Sequence, residues 1–462
     1  MSEEKTLNLI SDISNQIVLS SENLLKHSSI VCQTSLIDTL FNNTEFIEKK
    51  IRENYFNQNL SLLKSSQTKL KIKVSRSLAM KNKELNLKDL NYEWTIFSQI
   101  IKKLKNEKNN YFFKNKNSNL FSIILIGENA TDAGGPAREI ITQAFEELTS
   151  PYLDLFIPTP NNISKSGNDR DKYTINPSAK NEKQIEIFKC IGKILAYVIS
   201  SENYAPLHLS QFVFKQILNY KIEPIDIENI DIHSYNSIIK ILTYGTLEQK
   251  KNLYGIIDFT CQLSNGDIIE LIPNGKNILL NESNQNQFLE LYLKARSNEI
   301  YEQSQAIKIG LCSVIPEQII KFLTWQDFEY KICGPQSFDM DLLIRNTKYT
   351  GFKPSDPTIK FFWKFLNECT LEEKYLYLKF ANGFSRLPKD DSGFNKNPHQ
   401  ITKMEDISSN DYDKKLPRSH TCFFTIDIPP YSTYEILKEK MLYAMKNSMV
   451  ISDTEEFLGL DI

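Results

Sequence analysis

Residues 416–430 leave little choice of local structure. Leu416-Pro417 turns the chain, and a short polar run, Arg418-Ser419-His420-Thr421, leads to Cys422 and Phe423. Behind Phe424, Thr425-Ile426-Asp427-Ile428 alternates polar with apolar until Pro429-Pro430 stops it. Such alternation is the period of a half-buried strand. Cys422 therefore stands at the entrance of a strand, outside any apolar run. His420 precedes it by two residues, and in an extended segment such residues point to the same side. An imidazole there can lower the thiol's pKa or handle a proton. A lone cysteine is also commonly a small buried hydrophobe, so local chemistry leaves both readings open.

The chain is long enough, at 462 residues, for two to four domains with substantial cores. Its net charge of −2 gives no global attraction to nucleic acid or to an acidic membrane. The seven cysteines, at 32, 190, 261, 312, 333, 369 and 422, include no C-x-x-C pair. That argues against a disulfide framework or a zinc site and for a reducing compartment, the cytoplasm with the nucleus also open. Met1-Ser2-Glu3-Glu4-Lys5 is not the start of a signal peptide. No apolar run approaches the ~20 residues needed to cross a bilayer.

From the N-terminus, Ile10, Ile13 and Ile17, then Leu36, Leu40 and Phe41, make helical stripes over residues 1–68. A helical extension on the next domain and a partner-binding arm both fit. Residues 69–76 alternate charged with apolar, which describes a strand with a solvated basic face; a nucleic-acid patch is the rival. Phe121-Ser-Ile-Ile-Leu-Ile-Gly127 reads as a buried strand and leads into Asp132-Ala-Gly-Gly-Pro136, a tight turn with proline at a helix start. No GK[ST] follows, which argues against a phosphate loop. Further on, Thr350-Gly351-Phe-Lys-Pro354-Ser-Asp-Pro357 is a joint by composition. Beyond it, Ile359, Phe362, Trp363 and Leu366 share a helix face, Thr370-x-x-Glu373 and Ser432-x-x-Glu435 read as capping boxes, and Leu437, Met441 and Ala444 stripe the last helix. Residues 389–413 read as a polar loop.

Leu416-Pro-x-Ser-His-Thr-Cys-Phe423, with Pro429-Pro-Tyr-Ser432 and a helix after it, resembles the active-site segment of HECT-type ubiquitin ligases. Lys69-Leu-Lys-Ile-Lys-Val-Ser-Arg76, the Asp-x-Gly-Gly-x-x-Arg-Glu139 segment, Tyr173-Thr-Ile-Asn-Pro177, Phe188-Lys-Cys-Ile-Gly192, Pro273-Asn-Gly-Lys-Asn-Ile278, Ile332-Cys-Gly334, Tyr349-Thr-Gly-Phe352 and Phe362-Trp363 follow the same family's order. Asp132-Ala-Gly-Gly135, Ile157-Pro-Thr-Pro-Asn161 and Cys422-Phe-Phe424 look closest to the large HERC subgroup, whose propeller repeats have no counterpart in residues 1–68.

The resemblance implies an α+β, bilobal HECT domain behind a short helical N-terminal region. A large N-lobe spans 69–350, with a smaller conjugating-enzyme-binding subdomain at about 273–345. A hinge at 351–357 pivots on Gly351 with Pro354 stiffening it, and an α/β C-lobe spans 358–462. It implies an active E3 ubiquitin transferase: Cys422 accepts ubiquitin as a thioester from an E2 conjugating enzyme and passes it to a substrate lysine. His420 and Thr421 support it, and Asp427 is an acidic candidate or a solvated strand residue. The E2 groove falls to Phe338, Met340, Phe288 and Tyr292, with core packing the other reading. Arg138 and Glu139 read as structural. No metal or cofactor is implied. The partners are ubiquitin, an E2 and protein substrates, without nucleic acid or membrane insertion. The rival readings are an inactive scaffold binding ubiquitin or E2, and a Cys-His ubiquitin hydrolase, which would need a distant histidine and an orienting residue.

Overall fold

The computed structural model describes residues 49–63, 70–105, 121–127, 135–201, 204–205, 207–334, 338–382, 387–388, 391–395, 397–404 and 411–458. The stripes at Ile10–Ile17 and Leu36–Phe41, and Asp132 with its neighbours, lie outside them. Three separate hydrophobic cores organise the described chain, which mixes helices with small sheets in an α+β fold.

The largest core begins with helix α1 (Lys49–Leu62). Arg52 Nε reaches Asp327 Oδ2 at 2.7 Å, and Tyr55 stacks on Phe322 with ring centroids 3.9 Å apart. Strand β1 (Leu70–Val74) pairs in parallel with β2 (Phe121–Leu125), Leu70 opposite Phe121. The alternation is that of a half-buried strand: Lys71 and Lys73 face solvent while Ile72 and Val74 are buried. Helices α2 (Ile96–Leu104) and α3 (Gly135–Leu148) pack on this pair and on each other. A short hairpin, β3 (Phe156–Pro158) with β4 (Tyr173–Ile175), lies beside them.

The spine of this unit is α4 (Glu182–Ser201). A Cβ at Gly192 would sit 2.0 Å from the Ile307 carbonyl, and one at Gly310 would sit 1.9 Å from that of Lys189. Both glycines let α4 and a later helix, defined below as α6, approach backbone to backbone.

The second unit is small. Strands β5 (Thr260–Gln262) and β6 (Ile268–Glu270) form a hairpin against α5 (Gln285–Asn298). Phe259, Phe288, Tyr292, Ile239 and Leu280 fill its core. The chain then returns to the first core through α6 (Tyr301–Cys312) and α7 (Trp325–Cys333).

The C-terminal unit opens with α8 (Met340–Arg345) and β7 (Thr347–Thr350). Helices α9 (Pro357–Glu368), α10 (Leu371–Asn382) and α11 (Tyr434–Leu458) pack on a four-stranded sheet. Its order is β7, β8 (His399–Lys403), β10 (Thr425–Ile428), β9 (Arg418–His420); only the β10–β9 pair is antiparallel.

Several expectations change here. Residues 389–413 are not simply a loop, because β8 within them is an interior strand of the sheet. The expected hinge at 351–357 lies inside the C-terminal unit: β7 is laddered to β8, and Phe352, Leu342 and Leu343 belong to its core. The boundary between the large and C-terminal cores instead falls between Cys333 and Phe338. Gly351 has φ +73°, and a Cβ there would lie 2.8 Å from Lys403 Cβ, so glycine makes a tight strand exit here. Pro354 lies in the turn after it, ahead of α9. The range 273–345 is likewise divided among all three cores. Thr370 and Glu373 do form a capping box, with Thr370 N–H to Glu373 Oε2 at 2.9 Å. Ser432 does not cap α11, since Asp413 takes its N–H and its hydroxyl; Thr433 Oγ1 accepts the Ile436 N–H instead.

Candidate active site

Strand β9 ends at His420, and Thr421–Phe423 make a single turn of 3-10 helix before β10. Cys422 is the middle residue of that turn; its side chain lies outside the described atoms. The extended backbone expected from His420 to Cys422 therefore stops at His420, and strand alternation does not relate the two side chains. What fixes the turn is Phe424. It takes left-handed backbone, φ 49°, a conformation that costs an ordinary residue about 1–2 kcal/mol. Burial of its ring offsets this: Phe424 stacks on Phe394 at 6.1 Å and lies 4.8 Å from the His399 ring. The C-terminal core thus grips the turn by the residue two places after Cys422.

His420 and Asp427 meet across the β9–β10 ladder, Nε2 to Oδ2 at 2.9 Å. Thr425 and Asp427 share the outer face of β10 while Ile426 and Ile428 are buried. His420 is paired with Thr425, so Asp427 is its diagonal neighbour on that face. In the tautomer that donates Nε2–H to the carboxylate, the ring's lone pair lies on Nδ1. Thr421 is half-buried, and Phe423 is 67% exposed. The Phe423 ring is thus held out in water beside the cysteine.

Beneath the turn, His399 is fully buried and bridges two hydroxyls. Thr347 Oγ1 gives its proton to the Leu343 carbonyl at 2.7 Å, so His399 Nδ1–H donates to Thr347 Oγ1 at 2.7 Å. Nε2 then accepts from Tyr377 Oη at 2.5 Å. Burial lowers the pKa of His399 to about 3, which keeps this network neutral.

The other described thiols are poorly placed as nucleophiles. Cys190, Cys261, Cys333 and Cys369 are buried, and burial pushes the thiol of Cys261 up to about 12 and those of Cys312 and Cys369 up to about 11. Among the described residues no cluster of three His, Cys, Asp or Glu can hold a metal ion. Among them, too, no helix is long and apolar enough to cross a membrane.

The structure does not gather the four expected groove residues. Phe288 and Tyr292 are buried in the core of the small unit. Phe338 and Met340 pack, half-buried, against the C-terminal core. Helical spacing in the sequence cannot separate a groove from a core, and Phe288 and Tyr292 are core residues here. The small unit instead exposes Tyr244 (77%), Ile256 (76%), Leu247 and Leu279. Ile256 and Leu279 are adjacent, since Gly255 N–H bonds the Leu280 carbonyl and Asp258 bridges to Leu279. Arg138's side chain lies outside the described atoms, while Glu139 pairs with Arg76 at 3.1 Å, a contact within the large unit.

The family model for the HECT-domain (ubiquitin-transferase) matches residues 142–450. The chain is 28% identical over 338 residues to the mouse (Mus musculus) E3 ubiquitin-protein ligase HERC2, which covers 73% of this chain and 7% of that protein. It is 29% identical over 334 residues to the E3 ubiquitin-protein ligase pub1 of Schizosaccharomyces pombe, covering 70% of this chain and 41% of the relative. With the probable E3 ubiquitin-protein ligase TOM1 of Eremothecium gossypii the identity is 30% over 332 residues, 69% of this chain and 10% of the relative. The chain thus spans less than half the length of these relatives.

Proposed function

The chain belongs to the HECT-domain family of ubiquitin transferases, and from that premise we propose that it is an E3 ubiquitin ligase working through a thioester on Cys422. The observation that carries the reading is the position of Cys422, alone at the middle of a turn whose base is clamped by Phe424 and whose flank carries the His420–Asp427 pair. In the first step the Cys422 thiolate attacks the carbonyl carbon of the E2-bound ubiquitin thioester. The new C–S bond forms as the E2 thiolate leaves, so energies nearly balance and positioning supplies the rate. In the second, a substrate lysine amine attacks the same carbon, the Cys422 thiolate leaves, and the amine's extra proton must go to a base. His420 Nδ1 has the lone pair for it, with Asp427 orienting the ring and stabilising the imidazolium. Phe423, exposed beside the cysteine, offers an apolar contact for the ubiquitin tail.

For the E2 we place the docking surface on the small unit, at Tyr244, Leu247, Ile256 and Leu279, in place of the four residues expected from sequence. Large apolar side chains exposed on one unit suit protein recognition. Free thiols at Cys190, Cys261, Cys312 and Cys369 suit a reducing compartment, the cytoplasm or nucleus.

The test mixes the protein with activating enzyme, E2, ATP and ubiquitin, and runs the products on a non-reducing gel. A DTT-sensitive ubiquitin adduct forms on the wild type and is absent from Cys422→Ala. An adduct that survives in the variant removes Cys422 from the reaction. Tyr244→Asp should cut loading by weakening E2 binding; unchanged E2 affinity would move the docking surface elsewhere.

A further inference from the structure

His399 sits in a box of aromatic rings. The centroids of Phe362, Trp363 and Tyr377 lie 6.4, 6.3 and 6.0 Å from its own, and Phe424 comes against it at 4.8 Å. A phenylalanine would fill such a box without needing polar partners. The imidazole brings two nitrogens that must be satisfied, and both are: Nδ1–H by Thr347 of β7, Nε2 by the Tyr377 hydroxyl of α10. Bonds at two ring atoms leave the imidazole no freedom to turn, so the face it shows to Phe424 is fixed. The next residue holds the same target, since the Gln400 N–H donates to the Phe424 carbonyl at 3.0 Å. Helix α10, which supplies Tyr377, also packs on the Thr421–Phe423 turn. Of the groups named around the ring, from β7, α9, α10 and the turn, only Tyr377 titrates, and burial raises its pKa as it lowers that of His399. The network therefore keeps one hydrogen-bond pattern at any pH well above 3.

We propose that His399 is a positioning residue for Cys422, its hydrogen-bonded ring being the fixed support on which Phe424 keeps its left-handed backbone and the turn its shape. The proposal rests on the reading of Cys422 as the ubiquitin acceptor. Its physical ground is the conformational preference at Phe424. At φ 49° an ordinary residue favours other backbone conformations by about five- to thirtyfold. A glycine would meet no such preference, so the ring contacts hold Phe424 where its backbone resists. Phe424 stands two residues after Cys422, and a change in its φ swings the end of the turn against β9 and β10. The Cys422 thiolate must approach the E2-bound carbonyl carbon in one orientation, because positioning supplies the rate of exchange between thioesters of nearly equal energy. A support that turns or slides under Phe424 lets the turn spend time in shapes that do not present Cys422. Loading then falls by the fraction lost.

Two measurements on Tyr377→Phe and His399→Phe test it. The first variant removes one oxygen and frees the imidazole; the second fills the box with an apolar ring that no hydrogen bond orients. Single-turnover loading at saturating E2-bound ubiquitin should slow about five- to thirtyfold in each. The E2 concentration for half-maximal loading should stay at its wild-type value. Leu437→Ala, a cavity elsewhere in the same core, should melt earlier yet load at the wild-type rate. The second measurement, hydrogen exchange, needs no ubiquitin. In both variants the Gln400 amide, bonded to Phe424, should lose protection, while the Met404 amide, bonded to Ile428 at the far end of the same strand pair, keeps it. If His399→Phe does not fold, Tyr377→Phe alone decides. Wild-type loading in a folded variant, equal slowing in Leu437→Ala, or protection at Gln400 that stays intact or falls no further than at Met404 would overturn the positioning role. A wild type that never forms the adduct would sink the ligase reading, and exchange at Gln400 would still decide whether His399 holds the turn.

Discussion

Arg296 in the small unit and His399 in the C-terminal sheet are both sealed from solvent, and the protein treats them in opposite ways. Burial alone would push the Arg296 pKa down, but the Glu299 and Asp231 carboxylates outweigh it and hold the guanidinium charged. Arg296 lies 2.8 Å from Asp231 and 3.2 Å from Glu299, and it also donates to the Gln262 carbonyl and Ser264 Oγ. Glu299 in turn accepts from the Ser264 N–H. Among the described residues His399 has no carboxylate partner, and it stays neutral between two hydroxyls. The small unit thus depends on ions that must all be present, whereas the C-terminal unit depends on a proton that must be absent.

The sharpest way to break the comparison is Arg296→Met. It strands two buried carboxylates and should cost about 3–5 kcal/mol. Hydrogen exchange should find the loss in the small unit, with the C-terminal sheet still protected. Even loss across both units would mean that they do not unfold separately.

Acid probes the other member. Unfolded His399 binds a proton below its ordinary value of 6.5, while the folded form resists protonation down to about 3. Its contribution is full above pH 6.5 and declines as the pH falls toward 3, by about 1.4 kcal/mol per pH unit. His399→Gln keeps a donor and an acceptor but cannot titrate, so its urea stability should follow pH less steeply over that window. Asp231, held below the usual carboxylate range against burial by Arg296, gives up its share only at more acidic pH. Equal slopes for wild type and the glutamine variant would remove His399 as the source.

Met340→Asp distinguishes a docking surface from a core. Against the C-terminal core it should cost about 1–3 kcal/mol and lower the melting temperature with E2 affinity intact. Weaker E2 binding at an unchanged melting temperature would return Met340 to the docking surface. The smallest effect belongs to Gly351→Ala, about 1 kcal/mol, from positive φ and the approach of Lys403. Full stability in that variant would show that the strand exit relaxes freely.

Local pattern was legible wherever one residue type dictates backbone. Alternation marked β1 and β10, and the Thr370–Glu373 box opened α10. The segment around Cys422 was legible too, because Leu-Pro, the alternating run and Pro-Pro bound it tightly. The middle strand β8 was not: His399-Gln-Ile-Thr-Lys403 offers one strong apolar residue, Ile401, and its pairing partners lie far along the chain.

Sequence by itself determined the family-bearing motif, the position of Cys422 and the periodicity of the elements beside it, all of which are set by neighbours within a few residues. Only the tertiary structure decided which core each element joined. Gly351 and the prolines of 351–357 marked a turn, and a turn has the same composition whether it lies within a domain or between two. It took the ladder of β7 on β8 to move the unit boundary to 334–338. Likewise an aromatic stripe on α5 reads alike as groove or core, and burial of Phe288 and Tyr292 depends on Phe259 and Leu280, brought in by other elements. The Asp427 partner of His420, seven residues away, and the Lys379 partner of Glu146, 233 away, exist only once the strands and units are assembled.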